Sequence, residues 1–152
     1  MKLFSLVLVS IFLSSFVFSD NVQAEKLIRL AKKEVGSITP KELKRKIDTD
    51  EAFVLLDVRE PHDRFSGEIY SSEYYALTRG SLEFEIGNKI KDKKSLIITY
   101  CIAGNASALA AQTLRLLGYK NATSLEGGLK AWVKAGYPLE TDIGVFKRIN
   151  DD

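Results

Sequence analysis

The chain carries one thiol, Cys101, and one imidazole, His62. Cys101 lies within SLIITYCIAGNASALAAQTLRLLGY (Ser95 to Tyr119), where a strand-like run gives way to a helix-like run. A thiol at a strand end, followed by a glycine-containing loop and a helix N-terminus, is placed to react. Successive backbone N–H groups in a tight loop converge on an anion, and the helix dipole adds favourable potential. Both favour the thiolate, which is the nucleophilic form. Ala103, Gly104 and Ala106 are small enough to let the backbone curl around a sulfur atom. The competing reading is a small apolar side chain that closes a core strand, a common fate of lone cysteines. His62, in the segment EPH, reads as the exposed start of a short surface helix. One His and one Cys do not make a zinc site, and no metal is expected.

The elements that must hold this thiol are legible in outline. EKLIRLAKKEV (Glu25 to Val35) spaces Leu27, Leu30, Ala31 and Val35 as a short amphipathic helix, which Gly36 ends. TPKE (Thr39 to Glu42) combines a capping box with Pro at the first helical position, and Leu43 and Ile47 supply the apolar stripe. AFVLLDV (Ala52 to Val58) and SLIITY (Ser95 to Tyr100) are short apolar runs, the pattern of strands buried on both faces, and NATSL (Asn121 to Leu125) is a third. Helical segments fall at about Leu82 to Ile90, Ala106 to Leu117 and Leu129 to Ala135, with Gly118 and Gly136 where C-caps belong. Buried strands alternating with helices predict an α/β fold, a central parallel sheet flanked by helices on both faces. Ligands bind such sheets beyond the carboxyl ends of the strands, where DVRE and CIAGNAS both fall.

At 152 residues the chain has room for one domain. A formal net charge of +2, with 28% charged residues of interleaved sign, argues against a nucleic-acid partner. The first residues differ in kind. One Lys precedes an apolar stretch from Leu3 to Phe18, and Val22, Gln23 and Ala24 present compact side chains to a signal peptidase. Residues 1–24 therefore read as a secretory signal peptide cleaved after Ala24, the apolar run being shorter than the roughly 20 residues of a spanning helix. The expected mature chain is exported, most naturally to a bacterial periplasm, without a membrane anchor. A single cysteine in an oxidising compartment forms no internal disulfide, so it is either buried or employed.

Four segments in order carry a resemblance to a known family: LLDVREPHDRFSGEI (Leu55 to Ile69), RGSLEFEI (Arg79 to Ile86), YCIAGNASALAAQTLRLLGY (Tyr100 to Tyr119) and SLEGGLKAWVKAGYPLE (Ser124 to Glu140). With the cysteine loop between strand and helix, the chain resembles the rhodanese-like sulfurtransferases over about Ile38 to Glu140. The resulting division is a signal peptide at 1–24, an N-terminal helical segment at 25–36, a rhodanese-like domain at 37–141 and a C-terminal tail at 142–152.

The resemblance implies that Cys101 accepts a sulfane sulfur as a persulfide and passes it to a thiophilic acceptor. The loop amides of Ile102, Ala103, Gly104, Asn105 and Ala106 would cradle the sulfur anion. It implies no cofactor, because the cysteine carries the sulfur. The substrates would be a small sulfur-containing donor and a thiol or cyanide-like acceptor; no protein partner is specified. Departures from the family pattern shape these expectations. Where the family loop commonly carries cationic or polar residues, this chain has Ile102 and Ala106, which points away from thiosulfate, a dianion, and toward a persulfide or polysulfide donor. Arg59 and Arg79 are then the candidate sources of positive charge. Glu68 replaces the family's usual histidine, and Ser107 stands where related phosphatases place an arginine. A non-catalytic sulfur-carrier or binding module is the alternative.

Overall fold

The computed structural model describes residues 22–147. The leader expected at 1–24 lies outside them except for 22–24, which begin helix α1 (residues 22–35). After it come β1 (Ser37–Ile38), α2 (Pro40–Asp48), β2 (Val54–Asp57), α3 (Pro61–Arg64), β3 (Tyr74–Ala76), α4 (Leu82–Lys89), β4 (Ile97–Tyr100), α5 (Asn105–Leu116), β5 (Ala122–Leu125), α6 (Gly128–Lys134), β6 (Leu139–Thr141) and β7 (Gly144–Phe146). Five strands form one parallel sheet in the order β1-β5-β4-β2-β3, and β6 and β7 form a separate antiparallel pair. The α/β class and the flanked parallel sheet are as the sequence predicts.

Every residue of β2 and β4 is buried. Alternate residues feed two cores, because side chains along a strand point to opposite faces. Val54, Leu56 and Ile97 pack with Leu82 and Ile86 of α4 and Ala111 and Leu114 of α5. Leu55, Ile98 and Tyr100 pack with Leu43 of α2 and Leu129 and Trp132 of α6 on the other face. Each fully buried Leu or Ile contributes about 1.5–3 kcal/mol of transfer free energy. At the start of α2 the capping box forms: the Glu42 amide donates to Thr39 Oγ1 at 3.2 Å and the Thr39 amide to Glu42 Oε2 at 2.7 Å. Such a cap is worth about 1 kcal/mol.

The sequence predicts three strands, and the structure adds β1 and β3 at the two edges of the sheet. Two and three residues long, without a fully buried side chain, they present no apolar run to read. The hairpin β6–β7 crosses residue 141, where the domain is expected to end on sequence, and Glu68 and Glu140 exchange backbone hydrogen bonds that fasten β6 to the segment after α3. Among the described residues no helix is long and apolar enough to cross a membrane. For the site, the decisive feature is the β2–β4 register. Asp57 lies opposite Tyr100, so the segment after β2 and the cysteine loop after β4 emerge together at the carboxyl edge.

Candidate active site

Cys101 is the first residue beyond β4, and its side chain is 6% exposed. The backbone reverses over residues 102–104 and enters α5 through Gly104, whose φ of 84° lies in the left-handed region that glycine adopts without strain. That reversal aims two amides at the sulfur. The Gly104 N–H donates to Cys101 Sγ at 3.2 Å and the Ser107 N–H at 3.4 Å. The thiol in turn donates to Ser107 Oγ at 3.4 Å, a contact that reverses in the thiolate, with the hydroxyl as donor. Ser107 is wholly buried. Thr99 Oγ1 donates to the Ser107 carbonyl at 2.8 Å and so ties the first turn of α5 to β4.

The turn into α6 closes the other side of the loop. The Leu129 N–H donates to the Cys101 carbonyl at 2.8 Å and the Lys130 N–H to the Ile102 carbonyl at 3.0 Å. These amides of the first turn of α6 have no partner within their own helix, and the loop carbonyls satisfy them. With its carbonyls held on α6, the loop directs amides at the sulfur. Gly128, at φ 59°, is required here: a Cβ on it would lie 2.4 Å from the Cys101 carbonyl oxygen and 2.8 Å from the Gly104 nitrogen. The contact of Gly128 with the cysteine loop joins segments more than twenty residues apart and is visible in three dimensions alone.

Of the five amides expected in the cradle, among the described residues only that of Gly104 is hydrogen-bonded to Sγ. Ile102 turns its side chain toward α6 and packs against the second core. The Asn105 side chain accepts a hydrogen bond from Lys32 Nζ of α1 at 2.7 Å, which brings a cation to a loop that has none of its own. Ser107 and Lys32 are the residues that sequence reading missed. The signal for Ser107 was its place in the first helical turn, six positions after the cysteine; Lys32, 73 positions from Asn105, has no local signal.

Arg59, a candidate source of positive charge on sequence, is buried against Asp57. Its side chain is buried, and its nitrogens are shared among the Asp57 carboxylate at 2.7–3.0 Å, the Gly67 carbonyl at 2.9 Å, the Asp63 carbonyl at 3.0 Å and Ser66 Oγ at 3.3 Å. It also stacks over the Tyr100 ring, 5.3 Å from the centroid. Burial, the largest single influence, disfavours its charge, yet hydrogen bonding to Asp57 and the Tyr100 and Asp57 interactions together outweigh it and its pKa is raised. Tyr100 Oη donates to Asp57 Oδ2 at 2.9 Å, and burial, followed by the Asp57 charge, raises its pKa. The guanidinium is therefore engaged in fastening Ser66 and Gly67 to the strand ends. Arg79 is likewise taken up: it pairs with Glu83 at 2.9 Å and donates to Thr113 Oγ1 at 2.9 Å, linking α4 to α5. His62 is exposed, 3.5 Å from Asp63.

Beside the loop opens a cleft of about 650 Å³. Ile102, Leu129, Val133 and Leu139 supply its apolar surface, Ser66 stands across from α6, and Lys130 and Lys134 flank it.

Comparison with known proteins agrees with this architecture. A family model for the rhodanese-like domain matches residues 39–135. The chain is 35% identical over 108 residues to the thiosulfate sulfurtransferase GlpE of Actinobacillus succinogenes, a match covering 71% of this chain and 93% of that one. It is 36% identical over 102 residues to an uncharacterised protein of Synechocystis, covering 67% of this chain and 54% of the other, so it spans about half the length of that relative. Among solved structures, a polysulfide-sulfur transferase homodimer of Wolinella succinogenes is similar with a TM-score of 0.69 and 25% identity, covering 80% of this chain and 89% of that one.

Proposed function

The chain belongs to the rhodanese-like domain family, and from that premise we propose that it is a sulfurtransferase whose Cys101 carries the transferred sulfur. The Cys101 thiolate attacks the sulfane sulfur of a donor, the donor's S–S bond breaks, and the electron pair leaves with the donor residue. The resulting persulfide is then attacked at its outer sulfur by a thiol or cyanide-like acceptor, and the electron pair returns to Sγ. This is a double displacement through a covalent intermediate, with no net redox change and no cofactor.

The observation that carries this reading is the cradle. Two backbone amides and one hydroxyl meet a largely buried sulfur at 3.2–3.4 Å, and hydrogen bonds to the charged form favour it. Thiosulfate is the less suited donor, since neither Ile102 nor Ala106 offers a charge to its sulfonate. A polysulfide or an organic persulfide fits the apolar side of the loop better, and the Wolinella neighbour's description as a polysulfide-sulfur transferase agrees with that choice. The proposed setting is an exported one, a bacterial periplasm, after cleavage following Ala24; this rests on the sequence of residues 1–24.

The test is the intact mass of the protein after incubation with thiosulfate and, separately, with polysulfide, with Cys101→Ser as control. One added sulfur, removed by cyanide and absent from the variant, is the expected result, with polysulfide the faster donor. Absence of an adduct with either donor overturns the reading. Stoichiometric loading without turnover makes the protein a sulfur carrier.

A further inference from the structure

The segment CIAGNAS (Cys101 to Ser107) contains no charged side chain. Among the described residues one cationic side chain is hydrogen-bonded to it: Lys32 of α1, whose Nζ donates to Asn105 Oδ1 at 2.7 Å. Asn105 opens α5, between the Gly104 and Ser107 amides that meet Sγ. Ala103 and Asn105 are the exposed residues of this segment, so Lys32, itself exposed, stands on the side that solvent reaches. It makes no ion pair among the described residues, whereas Arg59 faces the Asp57 carboxylate and Arg79 that of Glu83. The helix that carries Lys32 is anchored. Arg115 donates to the Glu34 and Val35 carbonyls, Gln112 donates to Glu34 Oε2, and Ala31 and Val35 are buried. These contacts fix the backbone from which Lys32 reaches the loop.

Resting on the sulfurtransferase reading, we propose that Lys32 is a specificity-determining residue that receives the charged end of an anionic sulfur donor, a polysulfide chain. The Cys101 thiolate and a polysulfide are both anions, so their encounter sets like charges against each other. Attack forms the bond from Sγ to a sulfane sulfur and breaks the next S–S bond. The electron pair of that bond leaves on a polysulfide one sulfur shorter, again an anion, and no oxidant or reductant enters. A positive charge at the rim of the loop offsets the repulsion on approach and on departure. An ammonium group has three N–H donors. Asn105 takes one of them, and the others are open to an anion. A neutral donor gains nothing from this charge, so Lys32 biases the site toward anionic ones.

The test compares alkylation of Cys101 by iodoacetate, an anion, and by iodoacetamide, its neutral match. Both reagents attack the same thiolate, so the ratio of their rates cancels the thiolate fraction and reads the potential that an anion meets at the sulfur. Lys32→Gln should lower the iodoacetate-to-iodoacetamide ratio about two- to fivefold. Lys32→Arg should restore it, because a single bond to Asn105 Oδ1 and a positive charge are all the contact asks. Lys33→Gln removes the same charge from the neighbouring exposed position of α1 and should move the ratio less. In 1 M salt, where the screening length is about 3 Å, the difference between parent and Lys32→Gln should shrink. A ratio unchanged in Lys32→Gln, an equal change in Lys33→Gln, or a Cys101 that neither reagent reaches overturns the proposal. Single-turnover loading by polysulfide against diallyl trisulfide, a neutral donor, should show the same dependence on Lys32. Equal slowing of both donors in Lys32→Gln assigns the residue a structural role and overturns its part in donor choice. No sulfur moves in the alkylation, so a Lys32-dependent ratio without loading by any donor upholds the anion site and sinks the sulfurtransferase reading instead.

Discussion

At the scale of single residues, the sulfur's surroundings separate into groups that touch it and groups that hold those groups still. Ser107 touches it twice, through its amide and its hydroxyl, and only the hydroxyl can be removed by substitution. Ser107→Ala should leave the fold intact and slow persulfide formation about tenfold or more, as expected for losing a hydrogen bond to a charged group worth about 1.5–3 kcal/mol. The single-turnover rate of polysulfide loading measures this, and an unchanged rate would remove the hydroxyl from the mechanism. Arg59 belongs to the second group. Arg59→Ala leaves the wholly buried Asp57 carboxylate with only Arg64, at 4.0 Å, as a cationic partner, and breaking buried pairs costs about 3–5 kcal/mol. Urea unfolding should show a loss of that size. Loading of the surviving folded protein should fall less than in Ser107→Ala, since the guanidinium is engaged with Asp57, Asp63, Ser66 and Gly67.

Among elements, the contact between the α6 turn and the cysteine loop governs the cradle. α6 satisfies the loop carbonyls at Cys101 and Ile102, and Gly128 allows the approach. Gly128→Ala brings two penalties at once, a Cβ 2.4 Å from the Cys101 carbonyl oxygen and a φ of 59°. The strained backbone alone costs on the order of 1–3 kcal/mol. We expect a lower unfolding midpoint and, in the fraction still folded, loss of persulfide formation by intact mass. Normal loading in a stable Gly128→Ala protein would show that the loop does not depend on this contact. Helix α1 is the other contributor. It reaches α5 through Lys32 on Asn105 and through Arg115, which donates to the Glu34 and Val35 carbonyls at 2.8 and 2.9 Å. It lies before the residues that the family model matches.

For the molecule as a whole, acid stability has a readable component on the far side of the sheet from α5. Glu51 follows α2, and hydrogen bonds from Lys46 and then Arg45 hold its pKa well below the ordinary value of 4.5, at about 2. A carboxyl with a depressed folded-state pKa stabilises the fold fully above its unfolded value. That contribution is lost as pH falls from about 4.5 toward 2. Glu51→Gln should therefore lower the thermal midpoint at pH 7 and converge with the parent as pH approaches 2. A difference that persists unchanged at pH 2 would assign the effect to something other than ionisation.

The strand–loop–helix junction at Cys101, the α/β class and the N-terminal cap of α2 are all written in local sequence. An apolar run, a glycine and a helical stripe each act on their immediate neighbours, so composition and spacing suffice to read them. The edge strands β1 and β3 were not legible, because two or three half-exposed residues leave no periodic mark. Nor were the partners of the site. Arg59 reads either as a candidate charge for the loop or as the partner of Asp57 in a solvated pair, until the fold buries the two together. Gly104 and Ser107, rather than the whole loop, supply the amides at Sγ because only a φ of 84° at Gly104 fixes which N–H groups turn inward. Lys32 reaches Asn105 of the cysteine loop from 73 positions before it, and Lys130 and Lys134 flank the cleft beside that loop. The order β1-β5-β4-β2-β3 and the packing of helices on its faces bring them together. Sequence alone thus determined the kind of scaffold and singled out Cys101 as the candidate nucleophile. Tertiary structure decided what surrounds that residue, since contacts between distant segments depend on how the sheet and helices close and leave no trace in local spacing.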